Sequence, residues 1–245
     1  MKTALITGVS GGIGKAIAKQ FIDNGYFVLG QYNTNKQSVD DFLLQLKEQG
    51  KDDNFFSIQA DLSDNEQINK MMDNIEKSFK HLSVLVNNAG ISLNKLITET
   101  TQSEWDKIFS INVKSAFLIT NRVLKGMTSK KSGKIVNISS MWGISGSSME
   151  VAYSASKASL IGYTKALAKE VGLSNINVNC VCPGLIDTPM NSNLSSQDIK
   201  ELIDQTPLNR IGKPEDVAKL VYFLCSEDAS FITGQIISCD GGFIL

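Results

Sequence analysis

Seven short apolar runs alternate with longer helical patterns from one end of the chain to the other. This alternation constrains the fold more than any other feature. The runs are 2–7, 26–31, 54–59, 82–87, 133–138, 176–181 and 234–239. Helical segments are predicted near 12–24, 36–49, 64–79, 103–127, 151–172 and 214–225. Several of the runs are almost continuously apolar, as expected of parallel strands covered on both faces. The pattern predicts a single doubly wound α/β domain on a seven-stranded parallel sheet, spanning 1–245. A chain of 245 residues is long enough to bury one full core.

Charge and composition exclude several function classes. The net charge of −1 gives no electrostatic footprint for nucleic acid. The short apolar run at the N-terminus is broken by glycines, and no 18-residue apolar segment follows, so a soluble, cytoplasmic protein is expected. Cys180, Cys182, Cys225 and Cys239 form no C-x-x-C pair and read as reduced thiols in or near the core. His81 is the only histidine, which excludes a two-His metal site and argues against a Ser-His-Asp triad. It is expected to cap the C-terminus of the third helix. No metal is expected, and proton chemistry must come from other side chains.

Three local features carry candidate chemistry. The first is "TGVSGGIG" (7–14), in which Gly8, Gly12 and Gly14 follow the first strand and open the first helix. It is neither a Walker A loop nor G-x-G-x-x-G. Glycines there let the backbone turn tightly and approach a pyrophosphate at a helix N-terminus; the alternative is a tight turn without a ligand. The second is the end of the second strand, "LGQYNTNK" (29–36), which has no carboxylate to grip a ribose 2′-hydroxyl. Asn33 and Thr34 can donate hydrogen bonds to a 2′-phosphate, and Lys36 either supplies charge or is a solvated helix residue. This favours NADP(H) over NAD(H). The third is Tyr153 and Lys157, at i and i+4 on one helix face. A nearby ammonium would lower the phenol pKa and make Tyr153 an acid/base; the alternative is a solvated pair. The polar segment 187–216, with three prolines, is expected to cover a ligand crevice as a lid over about 187–212.

Taken together, these motifs resemble the short-chain dehydrogenase/reductase family over essentially the whole chain. The resemblance implies a Rossmann-type fold. Its cofactor loop corresponds to Gly8, Ser10, Gly11, Gly12, Ile13 and Gly14, and its adenine-contact position to Asp61 and Leu62. "NNAG" (87–90) matches the motif closing the fourth strand, so Asn88, Ala89 and Gly90 would line the cofactor. "PGLIDT" (183–188) matches the nicotinamide-side loop: Pro183 and Gly184, with Ile186 and Thr188 meeting the carboxamide. Tyr153 would be the acid/base and Ser140, rather than Ser139, would orient the carbonyl. Lys157 would lower the pKa of Tyr153 and bind the nicotinamide ribose. Asn112 would hold a water linking Lys157 to solvent. Gly11 departs from the Arg that many NADP-using relatives carry. A complete Ser-Tyr-Lys-Asn set argues against a dinucleotide-binding sensor without turnover. The resemblance also implies a homotetramer built through helices 103–127 and 151–172.

Within the family, "PLNRIGKPEDVA" (207–218) and "DGG" (240–242) are most similar to 3-oxoacyl-[acyl-carrier-protein] reductases. That branch takes its substrate from an acidic acyl carrier protein, for which Lys130 and Lys131 could provide charge. Ser174 stands where such reductases commonly carry Arg. The stretch 141–157 also resembles reductases of the 5-aminopentanone group on elongation factor P. There Glu150 would pair with the substrate amine; otherwise it favours the helix N-terminus. Trp142, Met149, Leu185 and Met190 are expected to border the substrate pocket.

Overall fold

A computed structural model of the chain describes residues 2–79, 81–192 and 194–244. The first half runs β1 (Thr3–Thr7), α1 (Gly12–Asp23), β2 (Phe27–Tyr32), α2 (Lys36–Glu48), β3 (Phe55–Gln59), α3 (Asn65–Ser78), β4 (Val84–Asn87), α4 (Gln102–Phe109) and α5 (Ser115–Lys130). The second half runs β5 (Gly133–Ile138), α6 (Met141–Ser145), α7 (Val151–Val171), β6 (Ile176–Pro183), α8 (Ser196–Asp204), α9 (Pro214–Cys225) and β7 (Ile236–Cys239). The seven strands form one parallel sheet in the order β3-β2-β1-β4-β5-β6-β7. The chain reverses its direction of travel between β1 and β4, which opens a crevice at the carboxyl ends of those strands.

Period-two alternation assigns each strand residue to a helix layer. Ala4 and Ile6 of β1 pack with Phe21 of α1, Phe42 of α2 and Val221 of α9. Leu5, between them, packs with Met72 of α3, Ile119 of α5 and Val171 of α7. This is why the strands read as continuous apolar runs. Phe21 anchors α1 by meeting Tyr26 and Tyr222 edge-on at 5.0 and 5.4 Å. Burying such a side chain contributes about 1.5–3 kcal/mol, and it fixes the helix whose first turn carries the glycines.

The structure departs from the sequence reading in four places. The predicted helix 103–127 is two helices, α4 and α5, joined by a π-turn at Ser110–Lys114. The Asn112 side chain bonds both backbone groups of Ile91 at 2.8 and 2.9 Å, consistent with a bulge held in place at a working position. The short helix α6 was not predicted, since five residues carry no readable period. His81 does not cap α3, whose C-cap is Phe79; its ring turns to the Gly126 backbone of α5. The lid segment is tied down at both stems, by Asp187 N–H to Gly212 O at 2.8 Å and Gly212 N–H to Leu185 O at 2.9 Å. Thr206 is buried, and Leu208 N–H donates to Gly241 O at 3.1 Å. The part projecting between these ties is narrower than predicted and carries α8.

All four cysteines are free thiols, three of them buried. Among the described residues no helix is long and apolar enough to cross a membrane.

Candidate active site

The carboxyl ends of the central strands open into a cavity of about 1200 Å³. Gly8, Ser10, Gly11, Gly12, Ile13 and Gly14 form one wall. Gly8 has φ +74, a conformation that L side chains rarely adopt. Its N–H donates to the Gln31 backbone at 2.9 Å and to Gln31 Oε1 at 3.0 Å. A Cβ on Gly14 would strike Gly8 O and lie 2.6 Å from Asn88 Nδ2; one on Gly12 would lie 2.8 Å from Thr188 Cγ2. The turn therefore requires glycine at these points. Gly11, at the N-cap of α1, offers no capping side chain, so the first amides of the helix remain available to an anion.

The end of β2 adds Gln31, Asn33 and Asn35 to the lining; Thr34 lies outside it. Asn35 also caps α2 through Ser38 N–H at 3.1 Å. The end of β2 itself contributes no carboxylate to the lining. Lys36 points away from the cavity: its ammonium pairs with Asp40 at 2.6 Å on the exposed face of α2. Asp61 and Leu62 line the same end, with Asp61 accepting from Ser63 N–H and Oγ–H at 2.8 and 2.7 Å. Buried Gln31 was missed from the sequence. Its only signal was an amide at the end of an apolar strand. It ties the glycine loop to β3 by donating to Ala60 O at 2.7 Å.

Asn88, Ala89 and Gly90 continue the wall from β4. Asn88 Nδ2 donates to Thr7 O at 2.8 Å, and the N–H groups of Asn88 and Ala89 both reach Thr7 Oγ1 at 3.0 Å. These bonds lock the ends of β1 and β4 together. Pro183, Gly184, Ile186 and Thr188 close the opposite side from the end of β6.

Ser140, Tyr153 and Lys157 converge on the cavity between these walls. Ser139 and Ser140 both line the cavity, but their hydroxyls have different partners. Ser139 Oγ donates to Lys157 O at 2.8 Å and faces α7. Ser140 Oγ accepts from Trp142 N–H at 3.2 Å at the cap of α6, and its hydroxyl acts on Tyr153 to lower the phenol pKa against the effect of burial. Lys157 Nζ lies 5.7 Å from the centre of the Tyr153 ring and donates to Ile138 O at 2.8 Å. Burial dominates both groups: it pushes the phenol up to about 12 and the ammonium down to about 8. Exclusion of water penalises the charged form of each group.

Asn112 does not line the cavity. It stands behind Gly90, buried, with Nδ2 also donating to Ser156 Oγ at 2.9 Å. A Cβ on Gly90 would sit 3.1 Å from Lys157 Nζ and 3.3 Å from Asn112 Oδ1, so the three meet at one point.

The outer half of the cavity is bordered by Trp142, Met149, Leu185 and Met190, as expected, and by Leu194 and Leu202 of the lid segment. Its charged side chains are Glu150, Asp198 and Glu201. Asp198 is engaged with Ser195 in the cap of α8, and Glu201 accepts from Gln197 at 2.8 Å. Glu150 is partly buried at the N-cap of α7. Its carboxylate makes no capping bond, and burial alone raises its pKa. Among the described residues no group of three or more His, Cys, Asp and Glu side chains is gathered as a metal site.

A family profile described as Enoyl-(Acyl carrier protein) reductase matches residues 8–244. The chain belongs to the short-chain dehydrogenase/reductase family. It is therefore an oxidoreductase. Among curated members, the 3-oxoacyl-[acyl-carrier-protein] reductase of Thermotoga maritima is 37% identical over 245 residues, covering 100% of this chain and 98% of that one. The enzyme of the same name from Chlamydia trachomatis is 39% identical over 241 residues, covering 98% and 96%. That of Staphylococcus aureus is 37% identical over 244 residues, covering 100% and 98%. Members of the family use a nicotinamide dinucleotide, and the cradle here fits one: glycines where a Cβ would collide, uncapped helix amides, and a long cleft crossing the β1/β4 switch point. Lys130, Lys131 and Ser174 lie at the amino-terminal edge of the sheet, before β5 and β6. The cavity lies at the far end, about 17 Å along the strand. These positions do not border its mouth.

Proposed function

We propose that the chain reduces a ketone to a secondary alcohol with NADPH, acting on a 3-oxoacyl thioester presented by an acyl carrier protein. The observation that supports this is the meeting of Ser140, Tyr153 and Lys157 in one cavity with the glycine loop. A bound nicotinamide supplies the hydride. The Ser140 hydroxyl holds the carbonyl oxygen, and Tyr153, protonated at neutral pH, gives its phenolic proton to that oxygen as it becomes an alkoxide. Lys157 carries the replacement charge and proton beside it. It would also hold the ribose, and Asn112 behind Gly90 would lead toward solvent. NADPH rather than NADH is supported by the end of β2, where Gln31, Asn33 and Asn35 are polar and none is a carboxylate. The relatives' names support the thioester. The family's common quaternary state supports a homotetramer.

One observation favours a second substrate. Glu150 places an unpartnered carboxylate in the outer cavity, where it would pair with the amine of a 5-aminopentanone group on elongation factor P. NADPH oxidation with a 3-oxoacyl thioester and with the modified factor, run in parallel, separates the two. Turnover of the thioester alone supports the first reading, and turnover of the factor alone replaces it with the second. Turnover of neither overturns both substrate readings.

A further inference from the structure

Asp240, Gly241 and Gly242 take no part in the chemistry of the cavity, yet they shape the turn after β7. Asp240 accepts from Gly242 N–H at 3.1 Å and from Ile244 N–H at 3.0 Å, folding the chain back on itself. Gly241 and Gly242 have φ +69 and +88, and this tight shape lets the turn meet three segments around the cavity. Gly184 N–H donates to Cys239 O at 3.1 Å, and a Cβ on Gly184 would lie 2.7 Å from Asp240 Cα. Gly241 O accepts from Leu208 N–H at 3.1 Å, at the stem of the lid segment. Phe243 then meets the Trp142 indole edge-on, with ring centres 5.5 Å apart and planes at 86°. Trp142 borders the cavity; Phe243 stands behind it, outside the lining.

We propose that Phe243 is a positioning residue that holds the Trp142 indole as the wall against which the alkyl chain of the ketone packs. This rests on the chain being a ketone reductase. The backbone of Trp142 is fixed by its N–H on Ser140 Oγ at 3.2 Å, two residues beyond the serine that holds the carbonyl oxygen. That bond leaves the indole free to turn about its own side-chain torsions. An edge-on aromatic partner removes the freedom, because the positive ring edge and negative ring face select one arrangement. Among the described residues, Phe243 is the one ring paired with Trp142. The rest of this border is Met149, Leu185 and Met190, apolar and in part flexible, so the indole is its rigid element. Loss of the Phe243 ring would leave Ser140, Tyr153 and Lys157 in place and loosen the wall. The effect falls on ketone binding, and most on a ketone whose chain is long enough to reach the wall.

Two readouts test this. The first needs no substrate. The chain has two tryptophans, and Trp105 stacks on Phe109, so Trp105→Phe keeps an aromatic ring there and leaves Trp142 as the only indole. In that background acrylamide should quench Trp142 emission at least about twofold more strongly in Phe243→Ala, and Phe243→Tyr should match the unaltered residue. The second is steady-state reduction of the 3-oxobutanoyl and 3-oxooctanoyl thioesters of N-acetylcysteamine with NADPH, in the chain with both tryptophans. Phe243→Ala should raise KM for the longer ketone at least about fivefold, while kcat, KM for NADPH and KM for the shorter ketone stay within about twofold. Phe243→Tyr should restore the longer ketone. Unchanged quenching in Phe243→Ala, an equal rise in KM for both ketones, or a loss confined to kcat would overturn the proposal. If the unaltered chain reduces neither thioester, the thioester reading fails, and the quenching alone decides whether Phe243 holds Trp142.

Discussion

At the scale of single residues, the site pairs two side chains that water exclusion makes unwilling to ionise. Lys157 is the costly one. Its pKa falls from 10.5 in the open chain to about 8 when folded. The folded state therefore binds fewer protons between those values, so stability rises with pH across that window. Below pH 8 the penalty is fully present, at about 3 kcal/mol before the bond to Ile138 O is set against it. Lys157→Met should raise the Tm of the cofactor-free chain at pH 7. The gain should vanish as the pH approaches 10.5, and thermal melts across that range check it. Asn33 offers a second residue-scale prediction. A carboxylate there would repel a 2′-phosphate and accept from a 2′-hydroxyl. Asn33→Asp should raise KM for NADPH at least about tenfold and lower it for NADH, as initial rates with each cofactor would report. The i, i+4 spacing singled out Tyr153 and Lys157, the family resemblance added Ser140, and the structure brings all three to one cavity. Neither signal could find Gln31, whose partners Gly8 and Ala60 are 23 and 29 residues away.

At the scale of elements, the alternating runs became seven strands with ends displaced by no more than two residues, since period two and continuous burial are written locally. The π-turn was not legible. It is held by Asn112 reaching Ile91, 21 residues distant, and the apolar spacing on either side remains helical. Lys36 was open between a charge at the cofactor corner and a solvated helix residue, and its ammonium pairs with Asp40 on the exposed face of α2. Contact between the glycine loop and the start of the lid segment yields a prediction here. With a Cβ only 2.8 Å from Thr188 Cγ2, Gly12→Ala must displace Thr188 or the first turn of α1. Overpacking of this kind costs about 1–3 kcal/mol, so the Kd for NADPH should rise about tenfold. Adding Thr188→Ser, which removes the colliding methyl, should recover much of the loss in a fluorescence titration.

At the scale of the whole molecule, the two helix layers bury both faces of the sheet and leave its carboxyl edge as the place where polar groups gather. Glycine loop, Asn88, Ser140, the Tyr153–Lys157 pair and Thr188 come from five separate stretches, and the β1/β4 reversal is what lets them share one cavity. The account stands on Tyr153 as the proton donor in that cavity, and one measurement tests it most directly. NADPH binding and ketone-dependent NADPH oxidation should be measured on the unaltered chain and on Tyr153→Phe, with the ketone that the chain turns over. The account predicts unchanged folding, NADPH affinity within about threefold, and a rate at least about a thousandfold lower. A Phe variant that binds NADPH and retains a tenth or more of the rate would contradict it.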